Sequence, residues 1–160
     1  MRALTVRQPY ASLLALGIKK METRTRDTKI RGSIAIHAGL AMPCRIGERI
    51  KFGEFEVERD SLSGLLLRGP GMWPYRLPVG AIVGIGDLFQ TRRTESLEHR
   101  PDERERSLGS HDPGNWAWSI TSMSRILNPI TATGSLGWWN WDVPADLIPT
   151  LRYPLTEIPA

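Results

Sequence analysis

Apolar positions recur along this chain in two periods, and each period predicts a different element. In residues 3–7, Leu4 and Val6 alternate with polar neighbours, which predicts a short strand. Gln8-Pro9 breaks the alternation. Residues 10–16 then form a compact apolar run with Pro9 at the first turn and Gly17 as the stop, the pattern of a helix. Alternation returns over residues 21–26. On a strand this places Glu22, Arg24 and Arg26 on one face and Met21, Thr23 and Thr25 on the other. After the Arg31-Gly32 turn, residues 33–38 predict an inner strand. Ile34 and Ile36 point to the core and His37 to the opposite face.

The middle of the chain is less regular. Residues 41–55 leave room for one helix, and residues 64–80, with four glycines and three prolines, predict a loop. Residues 81–88 carry Ile82, Val83 and Ile85 and predict a buried strand. Residues 91–106 hold five arginines against four glutamates and Asp102, which predicts a solvated helix or a mobile insertion. Trp116, Trp118 and Ile120 share one face of a further strand. Residues 124–127 extend the sheet, and Trp138, Trp139 and Trp141 are expected to cover one end of it. Trp73, in the Gly/Pro-rich stretch, is the tryptophan expected to be exposed. Several short strands and few helices predict a small curved sheet or barrel of α+β class.

Length and charge narrow the picture. A chain of 160 residues fits one domain. No run reaches the roughly 20 apolar residues of a membrane helix, and Met1-Arg2 opens onto mixed sequence without a signal-peptide pattern. Cys44 is the sole cysteine, so no internal disulfide forms and no multi-cysteine zinc site exists. The chain is therefore expected to be cytoplasmic. No H-E-x-x-H or other metal spacing occurs, so neither metal nor cofactor is expected. Positive charge is concentrated at one end. Residues 1–51 carry a net charge of +8 and residues 52–160 a net of −4. A one-sided positive field is what a polyanion would meet.

The basic end contains Gly17-x-Lys19-x-x-Glu22-x-Arg24. The motif's lysine, carboxylate and arginine, within six residues and beside an apolar run, need partners if they approach the core. They form either a structural ion-pair network or a site for a polar or anionic ligand. Lys19 suits a phosphate contact, an oxyanion stabiliser or, if desolvated, a base. Glu22 suits a general acid or base, or an acceptor for an exocyclic amine; Arg24 suits a base edge or a phosphate. Arg26 extends that face. Gln8 either reads a base edge or caps local backbone. Tyr10 and Trp116 are stacking candidates whose ordinary role is packing. His37 is a candidate acid or base whose ordinary role is structural hydrogen bonding.

Taken in order, Leu4-Thr5-Val6-Arg7-Gln8-Pro9-Tyr10-Ala11, the G-x-K-x-x-E-x-R segment and Arg31-Gly32-Ser33-Ile34-Ala35-Ile36-His37-Ala38 resemble an ASCH domain. Asn115-Trp116-Ala117-Trp118 and Gly137-Trp138-Trp139 resemble that family's closing strands. The resemblance implies a PUA-like small β-barrel with flanking helices, spanning residues 1–160, with insertions at about 40–77 and 91–112. It implies binding of RNA or single-stranded nucleic acid in a cleft beside the helix that follows the first strand. It also implies an alternative, a metal-independent ribonuclease or a hydrolase for a modified nucleoside, with Lys19, Glu22 and His37 in catalytic roles. A related small family hydrolyses N4-acetylcytidine with a lysine and a threonine from the equivalent segment and a separate glutamate. Lys19 matches that lysine, whereas Glu22 stands at the threonine's position. A third reading is a protein-interaction module that uses residues 91–112.

Overall fold

A computed structural model describes residues 1–147; the proline-rich tail lies outside the described residues. Ten strands and two short helices follow in chain order. They are β1 (Arg2–Val6), α1 (Tyr10–Ala15), β2 (Met21–Arg24), β3 (Gly32–Ala38), β4 (Arg49–Phe52), β5 (Phe55–Asp60), β6 (Gly64–Arg68), β7 (Tyr75–Arg76), β8 (Ala81–Arg93), α2 (Glu103–Ser107), β9 (Trp116–Thr131) and β10 (Trp138–Asn140).

Six strands form one sheet in the order β10-β1-β3-β8-β9-β2. β1 runs parallel to β3, and the other pairings are antiparallel. The sheet curls strongly. Trp138 on β10, at one end of the order, stacks on Trp118 of β9, near the other end, with ring centroids 5.6 Å apart and planes 4° apart. Inside the curl sit Val6, Ile34, Ile36, Leu88 and Ile120, with Ala11 and Leu14 of α1 as the plug. Burying each large aliphatic side chain here contributes roughly 1.5–3 kcal/mol. Gly17, at φ +70°, turns the chain out of α1 where a side chain would be strained.

The sheet forms a curled half-barrel: among the described residues no ladder joins β2 to β10 or β1. The seam is bridged instead by side chains, among them Arg24 Nη2, which donates to the Thr5 carbonyl at 3.0 Å. The two helices are also shorter than flanking helices would be, at six and five residues.

The middle segment departs furthest from its sequence pattern. Residues 49–76 form a four-stranded antiparallel sheet, β4-β5-β6-β7, where a helix and a loop were expected. Its strands are short, and glycines with positive φ, Gly53 at 58° and Gly64 at 75°, make the hairpin turns. This sheet packs Phe55, Val57, Leu65 and Leu67 against Leu13 of α1 and against Leu108, just after α2. The helix is thus wedged between two sheets, and residues 91–112 supply part of the packing rather than a mobile excursion. The strands expected at 116–120 and 124–127 are one 16-residue strand, β9. No helix among the described residues is long and apolar enough to cross a membrane.

Candidate functional site

A cleft of about 1050 Å³ opens at the seam between β1 and β2. Its floor carries Tyr10, Glu22, Thr23 and Arg24. One wall is residues 106–112, and the opposite rim carries Leu40 and Leu136. Arg7 and Arg106 stand exposed at its mouth.

Alternation along β2 places Glu22 and Arg24 on the same face, as the sequence predicts, and they pair at 2.8 Å between Oε1 and Nε. Burial pushes the Glu22 carboxyl upward, against the opposing pull of Arg24 and Lys19. Arg24 is held at its far end by the Thr5 carbonyl. The pair therefore presents a fixed acceptor and a fixed donor side by side.

Lys19 goes the other way. Its side chain is 1% exposed, and its ammonium lies 3.5 Å from Glu105 Oε1 and 5.8 Å from the Tyr10 ring centroid. Burial lowers its proton affinity, partly offset by Glu22 and Glu105. Glu105 sits on α2, whose start is capped by Asp102 accepting from the Glu105 N–H at 2.8 Å. The Glu105 carboxylate also accepts the backbone N–H groups of Lys20 at 2.8 Å and Met21 at 3.1 Å. One buried carboxylate thus clasps the G-x-K-x-x-E-x-R segment to the cleft wall.

Thr23 lines the cleft beside Glu22, although alternation assigns it the opposite face. The reason is the wall itself, which wraps around the second face of β2. Gly109 makes this possible: a Cβ there would sit 3.0 Å from both Lys19 Nζ and Thr23 Oγ1 and 3.4 Å from His111 Cε1. Three polar side chains converge on one bare α-carbon.

The other expected site residues lie elsewhere. His37 is buried, with Nε2 donating to the Ala132 carbonyl at 3.0 Å and Nδ1 3.2 Å from Thr5 Oγ1. Its ring meets Trp139 edge-on at 5.4 Å. Both faces of β3 are covered, so the face opposite the core is itself interior, and His37 does not join Lys19 and Glu22 at the cleft. Gln8 is buried as well: its amide donates to Ser12 Oγ at 2.8 Å and to the Pro78 carbonyl at 2.6 Å, and accepts from the Ser12 N–H at 3.2 Å. It secures the start of α1. Tyr10 does reach the cleft, braced edge-on by Phe52 at 5.6 Å. Arg26 is exposed beyond the end of β2, outside the cleft lining. Trp116 is half-buried, with the Arg93 guanidinium 4.5 Å from its ring centroid.

Sequence reasoning missed Arg7, Thr23, Glu105, Arg106 and the ring of His111 as contributors to this region. No local pattern marks Glu105, one of four glutamates in a charged stretch. Among the described residues no group of three or more His, Cys, Asp or Glu is placed to hold a metal ion.

A family model described as the ASCH domain matches residues 4–104. That span begins at β1 and takes in the whole G-x-K-x-x-E-x-R segment, β3 and all of β8. It covers well over half of the chain's 160 residues, and the protein belongs to the ASCH domain family.

Proposed function

We propose that the chain binds RNA or single-stranded nucleic acid, with a nucleotide seated in the cleft. The observation that carries this reading is the union, in one cavity of about 1050 Å³, of an oriented carboxylate–guanidinium pair with exposed arginines at the mouth. The volume is that of a small-ligand site. Glu22 and Arg24 offer an acceptor and donors to a base edge. Arg7 and Arg106 meet phosphates, and the exposed Leu40 and Leu136 give a base an apolar rim. Membership of a family associated with RNA supports the same reading.

The direct test is anisotropy of labelled single-stranded RNA over a range of salt concentrations. Binding should weaken steeply with salt, and Arg24→Ala should lower affinity at least tenfold. Binding that ignores both salt and Arg24 would sink the reading.

A second reading, a metal-independent hydrolase acting on RNA or a modified nucleoside, is favoured by one observation. The Thr23 hydroxyl and the Lys19 ammonium both border the space that a side chain on Gly109 would fill. Lys19 Nζ makes no hydrogen bond to Thr23 here, and burial lowers its proton affinity; a side-chain shift that closed the gap after deprotonation would give the hydroxyl a base. Incubating RNA with the protein in EDTA tests it. Products that vanish with Thr23→Val would establish turnover, and products that persist in that variant would come from contamination.

A further inference from the structure

The cleft is one end of a longer feature. In the sheet register Arg24 of β2 lies opposite Trp116 of β9, and Trp116 lies opposite Arg93 of β8. Directly opposed residues share a face. Arg24, Trp116 and Arg93 therefore form one cross-strand row on three neighbouring strands, spaced at roughly 4.8 Å per strand. Arg24 is at the cleft floor, and the row runs outward from it.

The outer end of this row is built to hold still. The Arg93 guanidinium lies over the Trp116 indole, 4.5 Å from its centroid, and its Nη1 donates to the Gly114 carbonyl at 2.7 Å. Arg93 is exposed, so the surface beyond the guanidinium is open. Two acids, Glu95 and Asp27, feel its charge, but each also spends hydrogen bonds on other partners. Glu95 accepts from the Gly114 N–H at 3.0 Å, and Asp27 accepts from Thr91 Oγ1 at 2.6 Å and from the Thr28 N–H at 2.7 Å. An anchored, exposed guanidinium on an indole is a platform on which an unpaired base stacks.

We infer that Arg93 and Trp116 form a second nucleotide position, taking the residue adjacent to the one in the cleft, with Arg24 shared between them. This rests on the nucleic-acid reading of the cleft and deepens it: the ligand is a single strand at least two nucleotides long, not a lone nucleotide. Duplex RNA, with its bases stacked inside, does not present the outer base to Arg93.

The experiment compares a nucleoside monophosphate, a dinucleotide, a pentanucleotide and a short duplex of the same sequence, with binding also read from tryptophan fluorescence. Affinity should rise at least tenfold from monophosphate to dinucleotide, and the single strand should outcompete the duplex. Arg93→Ala should remove most of that gain, leave monophosphate binding unchanged and lower the salt slope of oligomer binding by about one. Arg93→Lys keeps the charge and loses the plane, so it should restore the slope without the stacking gain. Equal affinity for monophosphate and oligomers, or equal loss with both in Arg93→Ala, would overturn this inference while leaving the cleft intact. No binding of any of the four would overturn the cleft reading itself. A melting temperature of Arg93→Ala within a few degrees of the parent shows that the comparison is between folded proteins.

Discussion

The two ion pairs of the G-x-K-x-x-E-x-R segment sit a few residues apart yet live in different environments. Lys19–Glu105 is sealed, with side chains 1% and 8% exposed, and joins positions 86 apart in the chain. Glu22–Arg24 is local to one strand, and Arg24 is 32% exposed. The first pair is a clasp between the motif and the cleft wall. The second is the surface that the clasp presents. One short charged segment thus divides into a buried half that ties β2 to α2 and a half that lines the cleft, and the division follows from which face of the chain the 106–112 wall covers.

That contrast can be broken at its strongest point first. Glu105→Ala strands the Lys19 ammonium and two backbone N–H groups in the interior. Urea unfolding should show a loss of about 3–5 kcal/mol. A loss under about 1 kcal/mol would mean the clasp is ornamental. Lys19→Met combined with Glu105→Gln keeps the shape and removes both charges, so it should recover much of the stability.

Arg24→Ala acts on the open pair. Solvent reaches Arg24, and the stability cost should be smaller, about 1–2 kcal/mol, arising from the Glu22 carboxylate left with one fewer partner. Its effect on ligand affinity should exceed its effect on stability. The reverse ranking would make Glu22–Arg24 a second structural pair.

His37 provides a third comparison, because it belongs to neither pair. Burial lowers its proton affinity below the ordinary value near 6.5. The unfolded chain then binds the proton more readily than the native one, so stability is full above about pH 6.5 and falls on acidification below it. The unfolding free energy should therefore be smaller at pH 5.5 than at pH 7.5. His37→Gln should flatten that part of the stability profile without moving the pH dependence of ligand binding. A binding profile that shifts with His37 would return it to the site.

The smallest effect is expected at the mouth. Arg7→Ala should weaken single-stranded RNA by about 0.5–1 kcal/mol, lower the salt slope by about one and leave stability unchanged. Anisotropy at two salt concentrations is enough to check it.

The residues that a reader of the sequence places correctly are those whose environment is local. Leu4 and Val6, the run after Pro9, Glu22 with Arg24, and Ile34 with Ile36 all follow from period and punctuation, and so does Trp73, which is 91% exposed. Two kinds of information were not legible. The first is what covers the second face of a strand. Alternation turns His37 away from the core, but Trp139 and the Ala132 carbonyl enclose that side. The second is pairing across distance. Glu105 resembles its charged neighbours until the fold brings it to Lys19. The β4–β7 sheet was hidden for a related reason: its strands are brief, and its turn glycines read as loop.

β10 pairs with Arg2, Ala3 and Leu4 only, so β1 runs on through Thr5 and Val6 with its flank towards β2 unzipped. A sheet closed there would have consumed the Thr5 carbonyl in a ladder and left no gap between β1 and β2. Because the fold stops one strand contact short, main chain as well as side chains borders the cleft, as at Gly39, Gly109 and Gly137. Main-chain groups cannot be altered by substitution, so the backbone share of this cleft's lining should outlast changes to the side chains around it.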